Sequence, residues 1–311
     1  MKKALVNTLL ELMEKQDNIY VFTGDLGFGV MNPIIEKYGN HFINVGICEQ
    51  NLTAAATGMA MEGNIVFTYS IGNFPTLRCM EQIRNDACYH NANVKIISVG
   101  GGFAYGQLGM SHHATEDVAM LRALPNMTVL TPADTYETKE AIKLAVKIDG
   151  PVYIRLGRGG EKDIKHLDHD ITKPMQLILP ENKNGSNTRI ALIGSGIVMP
   201  EVESVAEELS KKYCVKAYSL ALVKPISESS VIGICKEAEY VFTIEEHQIT
   251  GGVGSLVAEI IAENNITIRF KRIGMKNQFT QVVGSPNYLR KEYGLDKDGI
   301  LEVINFFIEG K

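Results

Sequence analysis

The order of apolar segments constrains the fold of this chain more than any other feature of its sequence. As far as residue 159, short runs rich in β-branched and aromatic residues alternate with segments of helical periodicity, and glycine or proline separates them. Such alternation predicts mostly parallel strands that are joined and covered by helices. The predicted strands are 19–23, 42–45, 65–68, 94–99, 128–131 and 152–156, and the predicted helices are 4–15, 48–62, 74–90, 116–124 and 134–148.

The same alternation returns in the second half of the chain. It predicts strands 189–194, 214–219, 239–244 and 267–272 and helices 199–212, 227–237 and 252–264. Between the halves, residues 160–188 lose the rhythm and end in a polar cluster, which is typical of a linker. The chain has 311 residues, and a single core stops growing at roughly 250 to 300 residues. We therefore predict two α/β domains, at 1–160 and 189–311, with a linker at 161–188.

Charge and composition exclude several functions. The net charge is -5 and no basic run is present, which argues against a nucleic-acid partner. No segment is apolar for long enough to cross a membrane, and the N-terminal residues read as an amphipathic helix and not as a signal peptide. The five cysteines have neither a close pair nor metal-ligand spacing, which suits reduced thiols. We expect a cytoplasmic protein.

One carboxylate has an unusual position. Glu49 stands at the head of the uncharged stretch LTAAATGMAM (52–61), for which we expect a helix buried on nearly all sides. A glutamate there can simply complement the helix dipole. However, this one directly follows a strand and a glycine turn, and open α/β sheets hold ligands at the carboxyl ends of their strands. Because an unpaired buried carboxylate is costly, we expect Glu49 to hold a proton or to share one with a ligand.

Other polar groups follow predicted strands. Asp25 lies between glycines after the first strand; alone it indicates a turn, but beside Glu49 it suits the wall of a site. The glycine-rich loop 100–117 contains His112 and His113. Two histidines without cysteines or regularly spaced carboxylates make a poor metal site, so we expect hydrogen bonding or proton transfer from them.

Arginines and one aromatic residue complete the candidates. Arg155 and Arg158 end the last strand of the first half, where they can bind a phosphate or carboxylate, although one of the two suits an interface better. Phe74 and Arg78 lie on the predicted helix 74–90. A phenylalanine there is more often part of the core, but it can also supply a stacking face.

The motifs TGDLG, FINVGICEQN, GQLGMSHHATEDVAMLRALPNM, VLTPADTYE, DGPVYIRLGRG and IEEHQITGGVGS follow one another in this order. With them the chain resembles thiamine diphosphate enzymes of the transketolase family, specifically the free-standing C-terminal subunit of a split transketolase. The resemblance implies a pyrimidine-binding domain followed by a transketolase C-terminal domain. It also implies a transferase of carbohydrate metabolism that moves a two-carbon ketol unit from a ketose phosphate to an aldose. Deoxyxylulose-phosphate synthases and the β subunits of 2-oxo acid dehydrogenases look similar at a greater distance.

The resemblance implies roles for the residues that match the cofactor-binding motifs. Glu49 matches the catalytic glutamate that hydrogen-bonds the cofactor's aminopyrimidine ring and activates the cofactor. Asp25 and Leu26 match the Asp-Leu pair that lines the cofactor pocket. Phe74 is the candidate for the aromatic residue that stacks on the aminopyrimidine.

The resemblance also implies substrate contacts. His112 matches the histidine that contacts substrate oxygens, and we expect it to take part in catalysis. Arg158 matches the arginine that binds the sugar phosphate. His113 and Arg78 are further candidates for substrate binding.

The sequence departs from the family pattern in two places. Leu108 replaces a common acid and Met110 a proline in the histidine loop, and Gly29 stands where a phosphate-contacting serine is usual. These departures point away from the standard pentose phosphates.

The chain also lacks the Gly-Asp-Gly motif with which the family binds its metal. The resemblance therefore implies that Mg²⁺ (or Ca²⁺) and the diphosphate are held by an N-terminal partner subunit, in a two-plus-two heterotetramer. The alternatives are a deoxyxylulose-phosphate-synthase-like or 2-oxo-acid-decarboxylating subunit, and a non-catalytic structural subunit.

Overall fold

Strands and helices alternate along most of the chain. The computed structural model describes residues 1–180 and 186–310. The strands are β1 (Ile19–Thr23), β2 (Phe42–Asn44), β3 (Ile65–Ile71), β4 (Val94–Val99), β5 (Thr128–Leu130), β6 (Val152–Leu156), β7 (Met175–Gln176), β8 (Arg189–Ser195), β9 (Cys214–Ser219), β10 (Leu222–Lys224), β11 (Tyr240–Gln248) and β12 (Arg269–Met275). The α-helices are α1 (Lys2–Met13), α2 (Asn32–Tyr38), α3 (Glu49–Met61), α4 (Met80–Gln82), α5 (Asp117–Arg122), α6 (Thr135–Lys147), α7 (Met199–Leu209), α8 (Glu228–Glu237), α9 (Val253–Glu263), α10 (Pro286–Glu292) and α11 (Lys297–Glu309).

Two sheets organise the described residues. The first has the strand order β10-β5-β6-β4-β3-β1-β2, and all its pairings are parallel except that of β10 with β5. The second has the order β12-β11-β8-β9-β7, and only β7 pairs antiparallel. These sheets confirm the predicted two-domain α/β fold. None of the helices in the described ranges is long and apolar enough to cross a membrane.

The first sheet is covered on both faces. One apolar cluster packs α3 and α5 against one face and continues to α8 and α9, which contact the second sheet, and a second cluster packs α1, α2 and α6 against the other face. Its central strands β4 and β6 are buried along their full length. Strands buried on both faces read as continuous apolar runs, which is why the sequence located these strands well.

Local signals set several helix boundaries. The Asp134 side chain accepts a hydrogen bond from the backbone N–H of Glu137 (2.8 Å) and caps the start of α6. Gly310 adopts φ +69°, a left-handed conformation that ends α11.

The structure differs from the sequence-based expectation in several places, and helices α2, α10 and α11 were not predicted. The predicted helix 74–90 consists of a 3-10 turn (Leu77–Cys79), the single turn α4 and a π-helix (Ile83–Cys88). The predicted linker contains β7, which joins the second sheet, and its residues 181–185 lie outside the described residues. Strand β10, from the second half of the chain, joins the first sheet beside β5. The domain bounds 1–160, 161–188 and 189–311 stay a prediction.

Candidate functional site

Glu49 is buried at the edge of the first sheet. It is the first residue of α3, and only 2% of its side chain is exposed. Its Oε2 lies 2.6 Å from Nη1 of Arg78, and its Oε1 accepts a longer hydrogen bond from Ser70 Oγ at 3.4 Å. The buried position that the sequence predicted is therefore confirmed. An arginine supplies the charge partner that a buried carboxylate requires.

Helix α3 corrects one prediction. We expected burial on nearly all sides, but only one stripe of the helix is buried, and Gln50, Asn51, Ala54, Ala55, Gly58 and Met61 are exposed. The buried positions recur at the three- and four-residue spacing of a helix that packs one face against a sheet. The exposed face therefore consists of small or uncharged residues, which the sequence pattern alone could not distinguish from a buried face.

Asn44 fixes the turn that contains Asp25. Asp25 adopts a left-handed conformation (φ +60°), which aspartate tolerates better than most residues. Its backbone N–H donates to Asn44 Oδ1, and its Oδ1 accepts from Asn44 Nδ2, both at 3.0 Å. Asn44 Oδ1 also accepts from the Gly46 N–H. A Cβ built on Gly24 would lie 3.6 Å from Glu49 Oε1, so this turn forms a wall of the Glu49 site.

A second pair of loops brings Phe74 and His112 together. Asn73 Nδ2 donates to the backbone oxygen of His113 at 2.6 Å. Gly72 has φ +48°, and a Cβ there would lie only 3.0 Å from the His112 backbone oxygen, so glycine permits the close approach of the loops. As a result the rings of Phe74 and His112 meet edge to face, with centroids 5.1 Å apart.

Arg78 joins these two groups of residues. Its guanidinium carbon lies 4.4 Å from the centroid of the Phe74 ring, in cation–π contact, while its Nη1 binds Glu49. Glu49, Arg78, Phe74 and His112 thus form one continuous chain of contacts. We predicted Arg78 as a substrate-binding residue, but its observed contacts are with the candidate cofactor-binding residues.

His113 lies apart from this chain of contacts. Its side chain is buried, with Nδ1 2.5 Å from Thr280 Oγ1 in the second half and Nε2 3.2 Å from the Gly106 backbone oxygen. Burial lowers the pKa of the His113 imidazole below its ordinary value. Because both ring nitrogens already have partners, we leave His113 out of the proposed substrate site and assign it to the loop's attachment.

The two arginines at the end of β6 and just after it have different surroundings. Arg155 is buried, and its Nε lies 2.8 Å from Asp117 Oδ2. Its Nη2 also donates to the backbone oxygen of Glu246, so Arg155 is the one of the two arginines that lies at the interface between the halves of the chain. Arg158 is exposed, stacks 5.0 Å from the Tyr105 ring, and lines a cavity of about 560 Å³ that also contains Lys162. This cavity lies between the two halves of the chain.

Sequence reasoning missed Ser70, Asn44 and Asn73. Ser70 lies within the buried strand β3, and its hydroxyl became a candidate only because the structure shows its hydrogen bond to Glu49. Asn44 ends β2 at the same sheet edge as Asp25, and that placement was the available signal. Asn73 gave no signal, because its hydrogen bond spans forty residues of sequence.

The fold and the polar sheet edge define a two-domain protein of the transketolase type, and comparison with known proteins agrees. The family model for the transketolase pyrimidine-binding domain matches residues 1–160, and that for the transketolase C-terminal domain matches residues 182–300. The chain belongs to the transketolase family.

Individual relatives are also similar over most of the chain. The chain is 33% identical to an apulose-4-phosphate transketolase subunit of Actinobacillus succinogenes, over 87% of this chain and 86% of that protein. It is 30% identical to 1-deoxy-D-xylulose-5-phosphate synthase 1 of Geobacter sulfurreducens, over 98% of this chain but 47% of that protein. A solved structure described as a split gene transketolase, inactive beta4 tetramer, matches with a TM-score of 0.83 at 31% identity, covering 97% of this chain and 96% of that one.

Proposed function

We propose that this chain is the cofactor-activating subunit of a split, thiamine diphosphate-dependent transketolase. It transfers a two-carbon ketol unit from a ketose phosphate to an aldose acceptor. The observation that carries the proposal is the buried carboxylate of Glu49, which shares one sheet edge with an aromatic face and a histidine. The similarity to a subunit of an apulose-4-phosphate transketolase supports it.

The residues of this edge fit an aminopyrimidine ring. The ring is planar and carries hydrogen-bonding nitrogens, so it requires an aromatic face and a carboxylate; Phe74 and Glu49 supply these. We assign Asp25 and Leu26 to the wall of the same site, because the turn that contains them approaches Glu49 at Gly24. The bound cofactor supplies the electron sink that amino-acid side chains lack. Glu49 exchanges a proton at its carboxylate, and its burial keeps bulk water away from that exchange.

His112 and Arg158 are the proposed substrate contacts. The His112 ring stands against Phe74 and its Nδ1 pairs with Ser111 Oγ at 3.0 Å, which orients the imidazole. Arg158 offers an exposed guanidinium suited to a phosphate. Leu108 and Met110 present apolar side chains on the same loop, 55% and 52% exposed, where the family has an acid and a proline. This change supports a sugar other than the standard pentose phosphates.

We propose that an N-terminal partner subunit completes the site. The exposed face of α3 is uncharged, and the neighbouring Phe28 and Ile47 are 78% and 76% exposed. Exposed apolar side chains gathered at a functional edge are typical of a surface that another protein covers. The partner would bind the diphosphate with Mg²⁺ or Ca²⁺, in a heterotetramer of two plus two. The inactive β4 state of the similar solved structure supports the need for a second kind of subunit.

Replacement of Glu49 by Gln in the reconstituted complex tests the proposal. The amide keeps the size of the side chain but cannot exchange the proton, so turnover should fall by about 10²- to 10⁴-fold. Glu62→Gln, at the exposed end of the same helix, is the matched control and should leave turnover unchanged. Ketol transfer within twofold of wild type by the Glu49 variant would remove the proposal, and would favour a structural subunit instead.

The similarity to a 1-deoxy-D-xylulose-5-phosphate synthase favours a second candidate, a decarboxylating subunit. Incubation of the complex with pyruvate and an aldose phosphate separates the two. Release of carbon dioxide with pyruvate consumption would select the decarboxylating activity, whereas ketol transfer without it selects the transketolase.

A further inference from the structure

We propose that Arg78 is an internal competitor for the aminopyrimidine site, so that the cofactor binds only when Arg78 swings aside. The inference rests on the proposed function, in which Glu49 and Phe74 hold the aminopyrimidine. In the structure the guanidinium of Arg78 makes both of the contacts that this ring would make: it lies 4.4 Å from the Phe74 centroid and 2.6 Å from Glu49 Oε2.

The chemistry of the guanidinium explains how it can stand in for the ring. A guanidinium is planar, delocalised and weakly hydrated, it stacks on aromatic faces, and it donates hydrogen bonds in its own plane. An aminopyrimidine shares the flat shape and the in-plane donors. The two groups therefore require the same face of Phe74 and the same carboxylate of Glu49, and both cannot occupy them at once.

Exposure determines which of the two paired residues can move. Only 2% of the Glu49 side chain is exposed, against 45% of the Arg78 side chain. Arg78 can therefore rotate into solvent, where its charge is hydrated, whereas Glu49 is held at the first turn of α3. A buried carboxylate that loses its cation needs a new partner, so the departure of Arg78 becomes favourable only as another hydrogen-bonding group enters.

The backbone around Arg78 is irregular. Arg78 lies in the 3-10 turn Leu77–Cys79, which is followed by the single turn α4 and the π-helix Ile83–Cys88. Short 3-10 and π segments have poorer hydrogen-bond geometry than an α-helix and recur at hinges and functional sites. Such a segment can accommodate a displaced side chain without unfolding a long helix. Because the cofactor binds only to molecules in which Arg78 has moved away, the apparent affinity for the cofactor is the intrinsic affinity multiplied by the fraction of such molecules.

A calorimetric titration of thiamine diphosphate with Mg²⁺ into the reconstituted complex tests the inference. Arg78→Met keeps the length of the side chain but removes the competing guanidinium, and we expect its Kd to be about tenfold lower than that of wild type. Arg78→Lys keeps the charge without the planar group and should give an intermediate Kd. Arg84→Met, at an exposed arginine of the same segment, is the control and should bind like wild type.

Methylguanidinium provides a second measurement. In the Arg78→Ala complex, added methylguanidinium should raise the Kd for the cofactor again, and it should have little effect on wild type. Equal or weaker cofactor binding by Arg78→Met would overturn the inference, since it would mean that Arg78 supports the site.

Failure of this inference can be distinguished from failure of the proposed function. Normal turnover by Glu49→Gln would remove the proposed function itself. Loss of turnover by Glu49→Gln, together with unchanged cofactor binding by Arg78→Met, would remove only the role assigned to Arg78.

Discussion

Replacement of Arg155 by Met should destabilise the chain strongly, although Arg155 lies outside the proposed site. The guanidinium is fully enclosed: Nε binds Asp117 Oδ2 at 2.8 Å, and Nη2 donates to the backbone oxygens of Ala114 (2.6 Å) and Glu246 (3.0 Å). Methionine fills much of the same volume but leaves Asp117 charged, buried and without its cation. Breaking a buried ion pair in this way costs about 3–5 kcal/mol.

The expected shift in melting temperature follows from the size of the chain. A chain of 311 residues that unfolds as one unit has an unfolding entropy of about 0.65 kcal/mol/K, so the loss corresponds to a Tm lower by about 5–8 °C. Differential scanning calorimetry measures this shift. Arg158→Met, at the exposed arginine three positions on, is the matched control and should stay within about 1 °C of wild type.

A double variant separates the loss of the pair from simple loss of packing. Asp117→Asn combined with Arg155→Met removes the stranded charge, and we expect it to recover part of the stability lost by Arg155→Met alone. The reasoning is wrong if Arg155→Met melts within about 2 °C of wild type, or if the double variant loses as much as the two single variants added together.

Two further predictions concern pH. The Nε2 atom of His166 lies 3.4 Å from Oδ2 of Asp134. Burial opposes a charge on His166, but this hydrogen bond and the nearby Glu137 raise the pKa of His166 above its ordinary value. Burial also raises the pKa of Glu137 to about 7. Both groups bind protons more readily in the folded chain, so the stability that they contribute is lost as the pH rises, between about pH 5 and 7 for Glu137 and above about pH 6.5 for His166. In denaturant titrations the free-energy difference between wild type and His166→Gln should therefore shrink as the pH rises above about 6.5, and a constant difference would contradict this. Burial lowers the pKa of Lys95 to about 7, although its Nζ donates to two backbone oxygens. Between about pH 7 and 10 the side chain of Lys95 is therefore more protonated in the unfolded chain than in the folded one. The free energy of unfolding of wild type relative to Lys95→Met should therefore increase across that interval, and a constant difference between the two would refute the assignment.

The sequence predicted the fold well because the central strands of the first sheet are buried on both faces. Such strands give continuous apolar runs, and the runs at β4 and β6 could be read directly. Strand β10 was missed because it has only three residues and pairs with a strand about ninety residues earlier in the chain. Its place depends on how the two halves pack, and a local pattern contains no information on that.

Several members of the candidate site could be predicted from the sequence, but Ser70, Asn44 and Asn73 were missed and the pairings could not be predicted. Glu49 and Asp25 each follow a strand, and parallel strands bring their carboxyl ends to one edge, so their proximity could be expected. The ion pair of Glu49 with Arg78 joins residues 29 positions apart, and Arg78 lies in a 3-10 turn at the start of an irregular segment, for which no periodicity gives a register. The exposed face of α3 was misread because small uncharged residues suit a core and a subunit interface equally well.

The second half of the chain contributes to the site by holding the loop that carries His112. Glu246 Oε1 accepts the backbone N–H of Phe103 at 2.6 Å, and the Gly284 N–H donates to the Gly106 backbone oxygen at 3.2 Å. These bonds hold the loop independently of its contact with Phe74, and they involve no residue that we assign to the cofactor. Loosening this attachment should therefore disturb His112 and substrate binding while cofactor binding at Glu49 is retained, which gives the transketolase C-terminal domain a mechanical part in the reaction.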